Sequence, residues 1–401
     1  MLGADGQSNV FSQAVLVGGQ STTNAGAETA GYMEINGGVN VFQDYITIGR
    51  GNGTSNTAPD GLESALTING GVSSAAGFWM AAILGNQTTL TARPRFTMNG
   101  GSLSTLNFYC GSGGTPKSRI AINGGTLTVG PNDGMRLVNG PGCDTELAIN
   151  GGLVVLTNQT LYVADNNAGG RGVVRLNGGR LAANNVYQTG TNATAIVYFN
   201  GGVFEPRATA TLGGALQLTN SAGGAIFDVP QGVIYTLGAT IYHDAALGAT
   251  PDGGLIKLGV GTLAVTNTQA YTGPTVISNG TLSVIAPTGS VLATGSLLLG
   301  GATDVEVGLS LTANRANFLS GGALQVNGDL TLGKAAVTLV MRETGYAPSS
   351  NGVYVVATCA GTISGTASDL RFANPVFGHS YAFSVVDGEV RLTVGTDAQN
   401  A

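Results

Sequence analysis

The sequence predicts an all-β protein, a solenoid of stacked strand turns ending in a C-terminal β module. Three observations carry that expectation: a recurring apolar-x-apolar-Asn-Gly-Gly motif, a two-residue alternation of apolar side chains around it, and a composition rich in glycine yet poor in charge. The motif is written "MEINGG", "LTINGG", "FTMNGG", "IAINGG", "LAINGG", "VRLNGG" and "VYFNGG". Its asparagines are Asn36, Asn69, Asn99, Asn123, Asn150, Asn177 and Asn200, spaced 33, 30, 24, 27, 27 and 23 residues apart. Periods of that length with strand patterning inside them mark a solenoid. The glycines exclude helical repeats.

Ahead of each asparagine, apolar residues flank a residue of mixed character: Met33 and Ile35 flank Glu34, Leu66 and Ile68 flank Thr67, Val174 and Leu176 flank Arg175. A period of two is that of a strand with its apolar face turned inward. Alternation resumes after the glycines, as in "GGTLTVG", so a second strand leaves at a new angle and Asn-Gly-Gly is a corner. Glycine reaches positive φ without steric cost, and asparagine tolerates it better than most residues, which predicts both residue types at a bend. With coils in register, the seven asparagines would form a ladder of side-chain amides in a place short of water. A third strand completes the coil in "YITIGRGNG", "MRLVNGPG" and "TLYVADNNAGG", each running into a polar loop whose variable length accounts for the unequal spacing.

With 66 Gly, 43% hydrophobic and 9% charged residues among 401, the chain is neither disordered nor collagen-like. The balance of 16 basic against 22 acidic residues gives no footprint for nucleic acid. The longest apolar run, "AAGFWMAAIL", is far shorter than the ~20 residues a spanning helix needs, so no membrane insertion by this segment is expected. The first residues, "MLGADGQSNV", show neither the basic nor the apolar region of a signal peptide. Cys110, Cys143 and Cys359 are odd in number and lie at different offsets from the repeat, so they read as buried small hydrophobes.

After Gly202 the pattern changes, and residues 253–284 read "GGLIKLGVGTLAVTNTQAYTGPTVISNGTLSV". This stretch closely resembles the autotransporter-associated β-strand repeat, or passenger-associated transport repeat, of form K-x-G-x-G-T-L-x-L, Y-T-G, G-T-L-x-V. The matching residues are Lys257, Gly259, Gly261, Thr262, Leu263 and Val265, then Tyr271, Thr272 and Gly273, then Gly280, Thr281, Leu282 and Val284. The Asn-Gly-Gly units are similar to arrays beside that repeat in large surface proteins of Gram-negative and verrucomicrobial bacteria. The tail from "GVYVVATC" to "EVRLTV" resembles the closing β-module of such proteins. The resemblance implies a single-stranded right-handed parallel β-helix, exported, extracellular or held at a bacterial cell surface. It further implies a structural or adhesive, passenger-like role toward an unknown surface receptor or glycan. "GTDAQNA" reads as neither a barrel closure nor a sorting tail, so neither signal nor anchor is expected within these residues. The expected organisation is an N-terminal partial coil or cap (1–30), Asn-Gly-Gly repeats (31–205) and continued solenoid containing the transport repeat (206–300). A C-terminal β module (301–396) and a tail (397–401) follow.

Candidates for chemistry are few, and no catalytic, cofactor-binding or metal-ligating residue is predicted. Asp144 and Glu146 lie two apart on one strand face, with Arg119 or Arg171 across a coil, and read as a solvated outer face rather than a carboxylate pair. Glu205 and Arg207 read as a strand-end ion pair. His243 and Asp244 are strand neighbours and so point to opposite faces, and His379 has no acidic companion in sequence. "CGSGGTPKS" lacks the helix a phosphate loop needs, and no Asp follows the glycines as in calcium-binding repeats. In "NFYC" and "IVYF" the alternation sends Phe108 and Phe199 inward and leaves Tyr109 and Tyr198 as candidate ligand contacts, beside the single tryptophan, Trp79. The alternatives are a filament or surface-layer subunit, homo-oligomeric by end-to-end stacking, and a carbohydrate-binding or carbohydrate-active β-helix.

Overall fold

A computed structural model describes residues 7–19, 30–52, 63–81, 83–84, 92–111, 115–165, 169–190, 192–285, 293–300, 305–320 and 324–397. The chain is an all-β parallel β-solenoid in two compact units, Met1–Arg207 with Gly213–Gln217, and Ala208–Leu212 with Leu218–Ala401.

In the first unit every coil lays down up to three strands, each pairing in parallel with its counterpart one coil on. The first stack holds Tyr32–Ile35, Glu63–Ile68, Arg93–Met98, Lys117–Ile122, Asp144–Ile149, Arg171–Leu176 and the first half of Thr194–Pro206. The second holds Ser8–Phe11, the first half of Val39–Asn52, the start of Val72–Met80, then Ser102–Thr105, Thr126–Val129, Leu153–Leu156, Arg180–Ala183 and the end of Thr194–Pro206. The third holds Val15–Gly19, the later halves of Val39–Asn52 and Val72–Met80, then Phe108–Cys110, Met135–Arg136, Thr160–Ala164 and Asn185–Gln188. Strict alternation of exposure along Glu63–Ile68 and Asp144–Ile149 turns Leu66, Ile68, Leu147 and Ile149 into the interior. Register stacks like on like: Ile120, Leu147, Val174 and Val197 face one another across four coils and are almost fully buried. Each such side chain contributes roughly 1.5–3 kcal/mol. Phe78 stacks on Phe108 at 4.5 Å and 14° in the same way.

The corner differs from its sequence reading in one respect. None of the seven asparagines has a positive φ, whereas Gly71, Gly101, Gly125 and Gly152, the second glycines, lie at 80°, 70°, 76° and 67°. The first glycine is needed for room: a Cβ on Gly124 would sit 2.5 Å from the carbonyl oxygen of Asn99 one coil back. The glycines therefore make the bend, and asparagine is there for its side chain. At Asn200 the bend flattens, and Thr194–Pro206 runs through it as one strand.

In the second unit Ala210–Leu212, Ile234–Leu237, Thr262–Val265, Thr281–Ile285, Val307–Ala313, Ala335–Met341 and Leu370–Phe372 form a seven-stranded stack, parallel and in chain order. A second stack runs from Gln217–Asp228 through Leu255–Leu258, Thr275–Ile277, Leu297–Leu299 and Leu330–Thr331 to Ile363–Ser364. Among the described residues, pairing turns antiparallel where Gly352–Cys359 joins Glu389–Thr396, itself paired with His379–Val386.

Candidate functional site

The seven asparagines line up on one edge. Each Nδ2 donates to the Oδ1 one coil back: Asn69 to Asn36 at 2.7 Å, Asn99 to Asn69 at 2.8 Å, Asn123 to Asn99 at 2.9 Å, Asn150 to Asn123 and Asn177 to Asn150 at 2.8 Å, and Asn200 to Asn177 at 3.4 Å. The edge is not dry: Asn36 through Asn150 are exposed and the last two half-buried. An amide both donates and accepts, so a column of one residue type satisfies itself without a register of partners.

The third stack carries a second column, facing outward. Trp79, Tyr109, Arg136, Tyr162 and Tyr187 are successive register partners. Tyr45 adds a tilted contact to Trp79 at 5.4 Å, Tyr109 meets Trp79 edge-on at 5.7 Å, and the Arg136 guanidinium lies 4.4 Å above the Tyr162 ring. A cleft of about 340 Å³ opens among Trp79, Met80, Tyr109, Gly111, Asp133, Arg136 and Asn139. Tyr109 donates to Asp133 at 2.7 Å, and Arg136 bridges Asp133 at 3.2 Å and Asp165. Burial, then the bond to Asp133, pushes the Tyr109 phenol up to about 12. That bond in turn holds Asp133 below the usual carboxylate range. Tyr198, on the first stack, is half-buried beneath the Arg175 guanidinium at 4.2 Å, while Phe108 and Phe199 are buried. Arg136 and Asp133 were not singled out from sequence. The signal was the near-constant interval separating Tyr109, Arg136, Tyr162 and Tyr187.

The other candidates are engaged in pairs. Asp144 and Glu146 share an outer face: Asp144 meets Arg119 at 3.3 Å and Arg171 at 3.5 Å, and Glu146 meets Arg175 at 3.3 Å. Glu205 is held by Arg180 at 2.8 Å as well as by Arg207 at 3.1 Å. His243 and Asp244 turn to different hydrogen-bond partners. Asp244 caps the short turn Ala245–Leu247 and accepts from Ser221, while His243 Nδ1 meets Asp252 at 3.0 Å and Nε2 meets the Gly248 carbonyl at 3.1 Å. His379 lies beside Tyr381. Cys110 and Cys143 are buried, and Cys359, expected to be buried, is half-exposed and bonds the Gly328 carbonyl. Burial, with Cys143 nearby, raises the Cys110 thiol well above its ordinary value. Of "CGSGGTPKS", residues 112–114 lie outside the described residues, and the segment continues into the strand Lys117–Ile122. Among the described residues no three His, Cys, Asp or Glu cluster in a way that could hold a metal ion.

Residues 253–284 show why their pattern takes its form. Lys257 is fully buried in the strand Leu255–Leu258, and its Nζ donates to the carbonyls of Leu258 at 2.6 Å, Gly259 at 2.8 Å and Asn279 at 3.2 Å, tying two coils at one corner. Burial pushes its ammonium down to about 8, against the pull of Asp228. A Cβ on Gly261 would lie 2.1 Å from the Pro230 carbonyl oxygen. Tyr271 is buried with its hydroxyl 2.6 Å from Thr275 Oγ1. Thr272 and Gly273 give their backbone N–H groups to the buried carboxylate of Asp252, which also accepts from Gly254 N–H and Asn220 Nδ2. Burial alone would raise Asp252, but these donors and His243 outweigh it and hold the carboxyl below its usual range.

Residues 255–284 match the passenger-associated-transport-repeat family. Neither a curated protein nor a solved structure matches the chain. The repeat and the β-solenoid fold fit an autotransporter passenger-like, exported surface protein. No helix among the described residues is long and apolar enough to cross a membrane.

Proposed function

We propose that the chain is a non-catalytic extracellular β-solenoid that serves a structural or adhesive role at a bacterial surface. The observation that supports this most is how the transport repeat is built: Lys257, Thr272, Gly273 and Asp252 are all bonded to one another's backbone or to neighbouring coils, so they hold turns together. The outer carboxylates agree, since Asp144, Glu146 and Glu205 each face arginine at 2.8–3.5 Å. The outward aromatic column, with Tyr109 at its cleft, is the surface offered to a receptor or glycan, and Tyr198 lies on another face beneath Arg175.

The test expresses the chain in its native host. Surface labelling and protease shaving of intact cells should detect and remove it, and the purified chain should release no reducing ends from common polysaccharides. Turnover lost on Asp144→Asn would overturn the non-catalytic reading, and protection from protease in intact cells would overturn the surface one. Negative-stain imaging of the purified chain separates a single scaffold from end-to-end filaments.

A further inference from the structure

Outward charges on the first strand stack of the first unit meet with opposite signs at most rungs. Glu63 lies opposite Arg93, Lys117 opposite Asp144, Arg119 opposite Glu146, and Asp144 opposite Arg171. This is the order that cross-strand pairing favours. It breaks once. Arg95 lies directly opposite Arg119, on strands about 4.8 Å apart. The two guanidinium groups lean away from each other, Arg95 to Glu63 at 2.6 Å on one side and Arg119 to Asp144 at 3.3 Å on the other.

Between them opens a cleft of about 170 Å³ lined by Arg93, Arg95, Lys117 and Arg119. Four of the chain's 16 basic residues thus converge on one small space in a molecule of net charge −6. Lys117 is exposed, and among the described residues no side chain pairs with its ammonium. Like charges placed opposite one another cost stability. Glu63 and Asp144 each answer one of the two arginines on its outer side, which leaves the Lys117 ammonium as the cation of the cleft with no carboxylate bonded to it among the described residues, open to an anion from outside the protein.

We propose that this cleft binds an oxyanion, and that its ligand is the sulfate or carboxylate substituent of an acidic polysaccharide. The volume admits one such group, with the Lys117 ammonium to meet its oxygens and the positive charge of Arg93, Arg95 and Arg119 around it. A nucleic acid fits less well: it needs a basic stripe for its evenly spaced phosphates, and the chain has 16 basic against 22 acidic residues and here a cleft for one group. The proposal goes beyond the scaffold reading and does not require it, because binding is read on the purified chain whether or not the protein is displayed on cells.

Calorimetric titration of the full chain with sodium sulfate, against sodium chloride at matched ionic strength, tests the cleft directly. Sulfated and uronic oligosaccharides, a neutral oligosaccharide and a short DNA duplex test the ligand class. The expected result is saturable sulfate binding, and acidic over neutral oligosaccharide by about tenfold or more; whichever acid binds tighter names the substituent. Lys117→Gln, at an exposed position, removes the charge without setting a second carboxylate opposite Asp144, so it should weaken both by about tenfold or more with an unchanged melting temperature, while Lys334→Gln outside the cleft leaves them intact. No saturable sulfate binding, equal binding by Lys117→Gln, equal affinity for the neutral sugar, or preference for DNA would each overturn the proposal.

Discussion

Replacing Lys257 with Met keeps an unbranched apolar stem in the buried site and removes only the ammonium. In the native protein that ammonium bonds three carbonyls, of which Leu258's also accepts from the Val229 N–H at 3.1 Å. The substitution therefore strips the carbonyls of Gly259 and Asn279 of this donor, at roughly 1–3 kcal/mol for each buried acceptor, and deletes the charge-assisted bond to Leu258. Against this stands the cost of burying the charge: moving the ammonium from 10.5 to about 8 corresponds to roughly 3 kcal/mol. The net expectation is a loss of about 2 kcal/mol at pH 7. The pH dependence carries the sharper signature. Because the folded value is the lower one, the unfolded chain binds more protons between pH 8 and 10.5, so native stability rises across that window by up to roughly 3 kcal/mol. Lys257→Met lacks the rise, and the gap between the two proteins widens as pH increases. Thermal melts followed by circular dichroism at pH 7 to 10 measure the difference, in which the titrations of other groups cancel. Amide exchange at pH 7 places the loss in Leu255–Leu258 and Thr262–Val265. A variant as stable as the parent at pH 7, or a gap that does not change with pH, would refute this account of the buried lysine.

Further outcomes follow from the same geometry. Asn123 both donates and accepts in the ladder, so Asn123→Ala should cost roughly 1–2 kcal/mol, read by urea denaturation through Trp79 fluorescence. Gly125 and Gly169 share a positive φ, 76° and 84°, but only at Gly125 would a Cβ meet a carbonyl, at 2.5 Å. Gly169→Ala should cost about 1 kcal/mol and Gly125→Ala more than about 3 kcal/mol in the same assay, and equal costs would remove steric approach as the reason for the corner glycine. The hydrogen bond that His243 gives to Asp252, ahead of the one to the Gly248 carbonyl and against burial, raises His243 above 6.5. Its contribution to stability is complete below pH 6.5 and fades as pH climbs through the raised folded value. An NMR titration should show that shift, and Asp252→Asn should bring the His243 midpoint back toward 6.5.

Much of the architecture is legible in local pattern. Alternation such as Leu147–Ala148–Ile149 assigns a strand and its buried face because side chains in a strand point up and down in turn, whatever lies next to them. The second glycine of the corners at Gly71, Gly101, Gly125 and Gly152 is legible because positive φ is a property of one residue's own backbone. Asparagine's role was only half legible: its backbone is ordinary at all seven corners, and its worth lies in an amide one coil away. The cross-coil partnerships were decided by the tertiary structure. Tyr109 meets Asp133, Asp144 meets both Arg119 and Arg171, and His243 passes over its neighbour Asp244 to reach Asp252. Most of those partners lie about one coil apart, across loops of unequal length, so their alignment depends on where each coil closes. From sequence alone, then, the chain's rungs and corners could be read, since both arise from the conformation of a few consecutive residues. Which outward charges meet, including Arg95 set against Arg119, was settled only by stacking, because register between coils depends on how the whole interior packs.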